Sequence, residues 1–208
     1  MTINLNKNQT IDLKKDDGHS VKRVFVGINW NQNTYSGEED FDIDLLGGLT
    51  NESGKISDIE YLVNWLTYKQ GIQWTFAKFY GDNQTGDDSQ GVEFNGLHFD
   101  EGMELYTENI PASMCDFYVA SYIHLGMDRM QNFGMIPNAS MDIYDMDDPE
   151  GFHLHYDFSR DKKFESLAAT VIGKFYRQSD GTFAFRAIGA GFEGGAVELY
   201  KHFGLDVR

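Results

Sequence analysis

The chain has one cysteine, three prolines and seventeen basic residues in 208 positions. Each scarcity excludes something. With Cys115 alone there is no intrachain disulfide and no cysteine-built zinc cluster. Cys115 itself reads as a small buried side chain. Three prolines are too few to mark a linker, so residues 1–208 read as a single domain. No window approaches the eighteen apolar residues of a membrane span. The opening MTINLNKNQT lacks the basic stretch and apolar run of a signal peptide, so a cytoplasmic chain is expected. The sequons at Asn51, Asn83 and Asn138 would then go unused. Thirty-three acidic residues outnumber the basic ones and leave a net charge of −16. That charge repels nucleic-acid backbones and anionic lipid, and it favours cations.

What is present is a core-forming chain. Hydrophobic residues make up 41% of it and aromatics 14%, which argues against disorder. At this length roughly 70% of the unfolded surface can be buried. Strand patterns dominate. Val21–Trp30 is rich in β-branched and aromatic residues and ends before the turn-like NQNTYSGE. In Phe41–Leu49, Phe41, Ile43 and Leu45 share one face and Asp42 and Asp44 the other. NESGK (51–55) reads as a turn. Further strands are expected at Ile59–Leu66, Trp74–Tyr80, Asp116–Leu125, Phe152–Phe158, Ala168–Tyr176 and Thr182–Ile188. Helix is scarce. Ala196, Leu199, Tyr200 and Phe203 fall at helical spacing, and Met127–Phe133 has room for one turn. The absence of a βαβ rhythm points to a mainly β fold, an antiparallel two-sheet β-sandwich with a short C-terminal helix.

Two acidic clusters are candidates for chemistry. In SGEEDFDID (36–44), Asp42 and Asp44 share a strand face about 7 Å apart, and repel unless a cation lies between them. In YGDNQTGDDSQG (80–91), Asp82, Asn83, Asp87 and Asp88 supply oxygens, and the glycines permit turns that aim carbonyls inward. Hard cations take six to eight oxygens of these kinds. The linear EF-hand pattern fails, because Leu45 stands where its glycine should be. The competing account of both clusters is a solvated acidic face and a plain Asp-Gly turn. A third run, Asp145, Asp147 and Asp148, reads as a hairpin turn containing Pro149 and Gly151.

Other motifs carry less. Gly189–Gly194 fits G-x-G-x-x-G, yet only fourteen residues follow it, too few for the second strand of a dinucleotide site. Close packing of a helix start against a sheet accounts for those glycines. Six histidines are present: His19, His98, His124, His153, His155 and His202. His153 and His155 share a strand face and could hold zinc. No third ligand lies near them in sequence, which favours a plain solvent face. No H-E-x-x-H, G-x-S-x-G or Walker loop occurs.

The segments INLNKNQTIDL, VFVGINW, DFDIDL, GDNQTG, QNFGMIPNA, YDFS, GKFYR and FRAIGAGF occur in an order that resembles the TerD family of tellurium-resistance and stress-response proteins. The resemblance runs over nearly the whole chain. It implies a cytoplasmic β-sandwich without catalytic activity that binds calcium, one or two ions here, and acts with other proteins of a stress response. The acidic strand of the family matches Asp42 and Asp44. Its GDN-x-TG loop matches Asp82, Asn83, Thr85 and Gly86, and its following aspartates match Asp87 and Asp88. Ser89 stands where the family has a glutamate. The usual Asn-Leu-x-Ser-Pro stretch is replaced by NWLTYKQGIQ (64–73), with Asn64 alone in place. Two other functions remain open. One is a metal-free interaction protein with degenerate loops. The other is a metal-dependent hydrolase using His124 or His155 as base.

Overall fold

The computed structural model describes residues 2–15, 18, 20–34, 39–159 and 162–206. His19, and residues 35–38 of the expected turn and first acidic run, lie outside them. The strands are β1 (Thr2–Asn4), β2 (Thr10–Asp12), β3 (Arg23–Asn29), β4 (Ile43–Thr50), β5 (Leu62–Val63), β6 (Ala77–Phe79), β7 (Val92–Phe94), β8 (Leu97–Phe99), β9 (Glu101–Tyr106), β10 (Asp116–Ile123), β11 (Ser140–Asp145), β12 (His153–Asp157), β13 (Ala169–Arg177) and β14 (Phe183–Gly191). The helices are α1 (Trp65–Lys69) and α2 (Gly195–His202).

The fold is mainly β. A first sheet runs β1-β12-β11-β3-β9-β6 and a second runs β2-β14-β13-β10-β4-β5. Strands β7 and β8 form a separate hairpin. Pairing is antiparallel, as expected, except that β1 runs parallel to β12.

The largest apolar cluster takes side chains from both sheets. Val24, Val26, Ile28, Met103, Leu105 and Ile143 come from the first; Ile43, Leu45, Phe117, Val119, Phe175 and Phe185 come from the second. Along β4 the period of two decides which side chain goes where. Ile43 and Leu45 enter this cluster, while Leu46 enters a second one with Ala120, Leu199 and Phe203 beneath α2. A third cluster, Phe25, Val92, Phe99 and Tyr144, lies under the β7–β8 hairpin. Gly47 is needed where it stands. A Cβ there would lie 2.4 Å from Phe117 Cζ and 2.9 Å from Met103 Sδ.

Several expectations are corrected. Ile59–Leu66 is not one strand. Ile59–Tyr61 is a 3-10 turn, β5 has two residues, and Asn64 then caps α1. Asn64 Oδ1 accepts the Thr67 N–H at 3.0 Å and its backbone N–H reaches Thr67 Oγ1 at 3.2 Å. This reciprocal cap overrides the β-rich composition of the segment. Trp74–Tyr80 keeps only β6 as strand. Met127–Phe133 does hold a turn, with the Arg129 N–H donating to the Leu125 carbonyl, and a 3-10 turn begins at Phe133. Cys115 is half-buried rather than in the core. The glycines of 189–194 do serve close packing. A Cβ on Gly191 would meet Leu167 Cδ1 at 2.1 Å, and Glu198 Oε2 accepts the Gly194 N–H at 2.8 Å. A side-chain carboxylate thus occupies the place where a phosphate would bind.

Removing Phe117, which lies between the rings of Phe76 and Phe175 and against Gly47, tests this packing. We expect Phe117→Ala to cost about 3–5 kcal/mol in urea unfolding. Met130→Ala, at a side chain 82% exposed, should stay within about 0.5 kcal/mol of the parent.

Candidate metal centre

Four carboxylates meet where the two sheets approach. Asp42 and Asp44 stand at the entry to β4, Glu101 opens β9, and Asp82 lies in the loop after β6. Asp44, Asp82 and Glu101 each place a carboxylate oxygen within 4.8 Å of the others. That is about twice a calcium–oxygen distance of ~2.4 Å. Strand alternation turns Asp42 and Asp44 away from the apolar cluster. Glu101 Oε2 accepts the Leu45 N–H at 2.7 Å, a β4 amide beyond the reach of two-residue β5.

The electrostatics are adverse. Asp42, Asp44 and Glu101 are 8%, 3% and 1% exposed. Asp42 Oδ1, Asp44 Oδ2 and Glu101 Oε1 are buried without a hydrogen-bond partner. A buried polar atom left this way costs about 1–3 kcal/mol, and more when charged. Burial, helped by the charge of Asp82, pushes the Asp42 carboxyl up to about 7. Burial and then repulsion from Asp42 and Asp82 push Asp44 well above the usual carboxylate range; the Tyr122 hydroxyl beside it partly opposes this. Burial and then Asp44 do the same to Glu101, against the Leu45 N–H. His124 Nδ1 stands 3.7 Å from Asp44 Oδ2, outside hydrogen-bond reach. Two agents could relieve the strain: protons or a cation. The donor set, all carboxylate oxygen, suits a hard cation.

The other expected ligands stand apart from this cluster. Asn83 is fully buried and serves the loop. Its Oδ1 accepts the N–H groups of Thr85 (3.1 Å) and Gly86 (3.0 Å). Its Nδ2 donates to the Asp87 carbonyl (3.2 Å) and to Asp100 Oδ1 (3.0 Å). Gly86 has φ +67°, and a Cβ there would meet Trp30 Nε1 at 2.7 Å. Asp87 Oδ1 accepts the Ser89 N–H at 2.8 Å. Asp87 and Asp88 line a separate hollow with Trp30, Asn31, Gln32 and Thr34. Asn64, the N-cap of α1, also donates through Nδ2 to Tyr200 at 2.7 Å, and Tyr200 meets the Tyr122 hydroxyl at 3.1 Å. It therefore touches the centre only through tyrosines. Glu101 escapes a search for acidic runs. Its signal is subtler: a glutamate two residues before Met103 and four before Leu105, on the core-facing side of its strand.

A profile of the TerD domain matches residues 1–203. The chain belongs to the TerD family. It is 31% identical over 207 residues to general stress protein 16U of Bacillus subtilis (strain 168), with both chains covered in full. To the tellurium resistance protein TerD of Serratia marcescens it is 28% identical over 208 residues, covering 99% of each. A crystal structure of a homologue of telluride resistance protein (TerD) from Streptomyces coelicolor A3(2) superposes with TM-score 0.62 at 17% identity, over 87% of this chain and 95% of that one. At that identity the structural likeness concerns the fold. Among the described residues, no helix of this TerD domain is long and apolar enough to cross a membrane.

The raised carboxyls have a pH consequence in chelator-treated protein. A carboxyl with a higher pKa folded than unfolded binds more protons when folded, so stability falls as pH rises from the unfolded to the folded value. For Asp42 that window runs from 3.8 to about 7. The melting temperature of the stripped protein should fall between about pH 5 and about pH 7.5, and Asp44→Asn should flatten the fall. A melting temperature that rises across this range would contradict the assignment.

Proposed function

We propose that this chain is a calcium-binding TerD module of a bacterial stress or tellurite response, a β-sandwich that works in the cytoplasm through protein partners and not by catalysis. The observation that carries it is the set of three buried, unpartnered carboxylate oxygens on Asp42, Asp44 and Glu101, with Asp82 beside them. A divalent cation would engage these oxygens and offset their repulsion. Asp82 sits on the GDNQTG loop and Glu101 on the first sheet, so an ion held between them and β4 would tie a loop to both sheets. A second ion would call on Asp87 and Asp88 in their separate hollow.

Partner binding is supported by what adjoins the centre. A groove of about 450 Å³ includes Asp44 and is lined by Leu66, Leu125, Met127 and Val197. These four side chains are 48–56% exposed. With a chain charge of −16, the occupant that fits is a protein segment carrying apolar anchors and basic flanks.

The same groove supports a second reading. His124 lines it, next to Asp44, as the base of a metal-dependent hydrolase would. Metal-dependent turnover of a phosphomonoester, lost in His124→Ala, would replace the first proposal with this one.

Calorimetric titration of chelator-stripped protein with calcium, with magnesium as control, tests the main proposal. We expect saturable binding that is abolished by Asp44→Asn with Glu101→Gln, and a stabilisation of about 2.7 kcal/mol at a hundredfold excess over Kd. Asp87→Asn with Asp88→Asn should lower the stoichiometry only if two ions bind. No heat and an unchanged melting temperature would leave a metal-free interaction protein.

A further inference from the structure

His153 and His155 lack a third ligand in the sequence, but not in the fold. Asp142 on β11 lies directly across the ladder from His155 on β12, and His153 is two residues away on the same face. The side chains point away from the apolar cluster that takes Met141, Ile143 and Leu154 from the same strands. Asp142 Oδ1 is 2.6 Å from His153 Nε2 and 2.8 Å from His155 Nδ1. Two imidazoles thus converge on one carboxylate oxygen.

We propose that Asp142, His153 and His155 form a site for a late first-row divalent metal of the zinc type, separate from the carboxylate centre. Imidazole nitrogen with one carboxylate is the donor chemistry such ions prefer, whereas calcium and magnesium take oxygen. The geometry is close to what is required. In a tetrahedral site with bonds of about 2.0–2.1 Å, neighbouring donor atoms stand roughly 3.3 Å apart. The two Asp142–histidine contacts reach that spacing on opening by less than 1 Å, and the two ring nitrogens lie within 4.8 Å of each other.

The surroundings hold the ligands in place. Thr2 Oγ1 lies 2.9 Å from His153 Nδ1, on strand β1 paired with β12. With metal on Nε2, His153 Nδ1–H would donate to this hydroxyl, the outer partner that metal-bound histidines commonly have. The Tyr144 ring stacks on His153 with centroids 4.2 Å apart and planes 8° off parallel. The Asp142, His153 and His155 side chains are 11%, 19% and 31% exposed. An ion held by them would therefore keep a solvent-facing position, as open three-ligand sites do.

The test is a titration of chelator-stripped full-length protein with cobalt(II), followed by displacement with zinc. We expect the visible absorption of a four-coordinate site at one equivalent, quenched by zinc and unaffected by excess calcium. His153→Ala and His155→Ala should each weaken cobalt binding more than tenfold. Thr2→Val, which leaves every ligand in place, should weaken it by about tenfold. Asp44→Asn should not change it. Circular dichroism of each metal-free variant checks folding. For the parent, imidazole proton shifts on adding zinc give an independent readout confined to His153 and His155. No cobalt spectrum, or a spectrum that survives in the double histidine variant, would overturn the site and leave a plain hydrogen-bonded cluster.

Discussion

The arrangement of this protein turns on carboxylates that are buried together. Asp42 and Asp44 face away from the core cluster at the start of β4, Glu101 faces it from β9, and Asp82 reaches them from a loop. Burial and mutual repulsion push the carboxyls of Asp42, Asp44 and Glu101 above the usual range. Three oxygens without partners make a centre that is strained when empty, and a cation would relieve it. The tyrosine pair Tyr122 and Tyr200 and the groove beside α2 lie within one or two contacts of that point, and the Asn64 cap is joined to it through both tyrosines.

The architecture was largely legible in the residues. Alternation located β4 and β12, and β-branched and aromatic runs between turn residues located β3, β10, β13 and β14, all of which contribute to a common core. What stayed hidden has physical causes. The short strands β1, β2, β7 and β8 have three residues each, too few for a period to register. The helix α1 has five residues, set by a side-chain cap and not by propensity.

The centre was legible only in part. Asp42, Asp44 and Asp82 were found because acidic residues cluster along the chain. Glu101 was not, because its partners are distant in sequence and near only after the sheets assemble. Asn83, expected as a ligand from its acidic, glycine-rich loop, has its side-chain donors and acceptor engaged in organising the turn itself. Asp142 was missed for the same reason as Glu101. Registers between strands, not spacings along them, decide which ligands meet.

Residues 2–12 have a consequence for the edges of both sheets. Strand β1 closes one edge of the first sheet and β2 closes one edge of the second, with only residues 5–9 between them. One short segment therefore seals two open edges at once, with Leu5 N–H donating to the His155 carbonyl and Asn8 N–H to the Ala187 carbonyl. If it peels away, β12 and β14 present unpaired backbone on the same side of the protein. Two adjacent templates for strand addition would then be offered to a neighbouring chain.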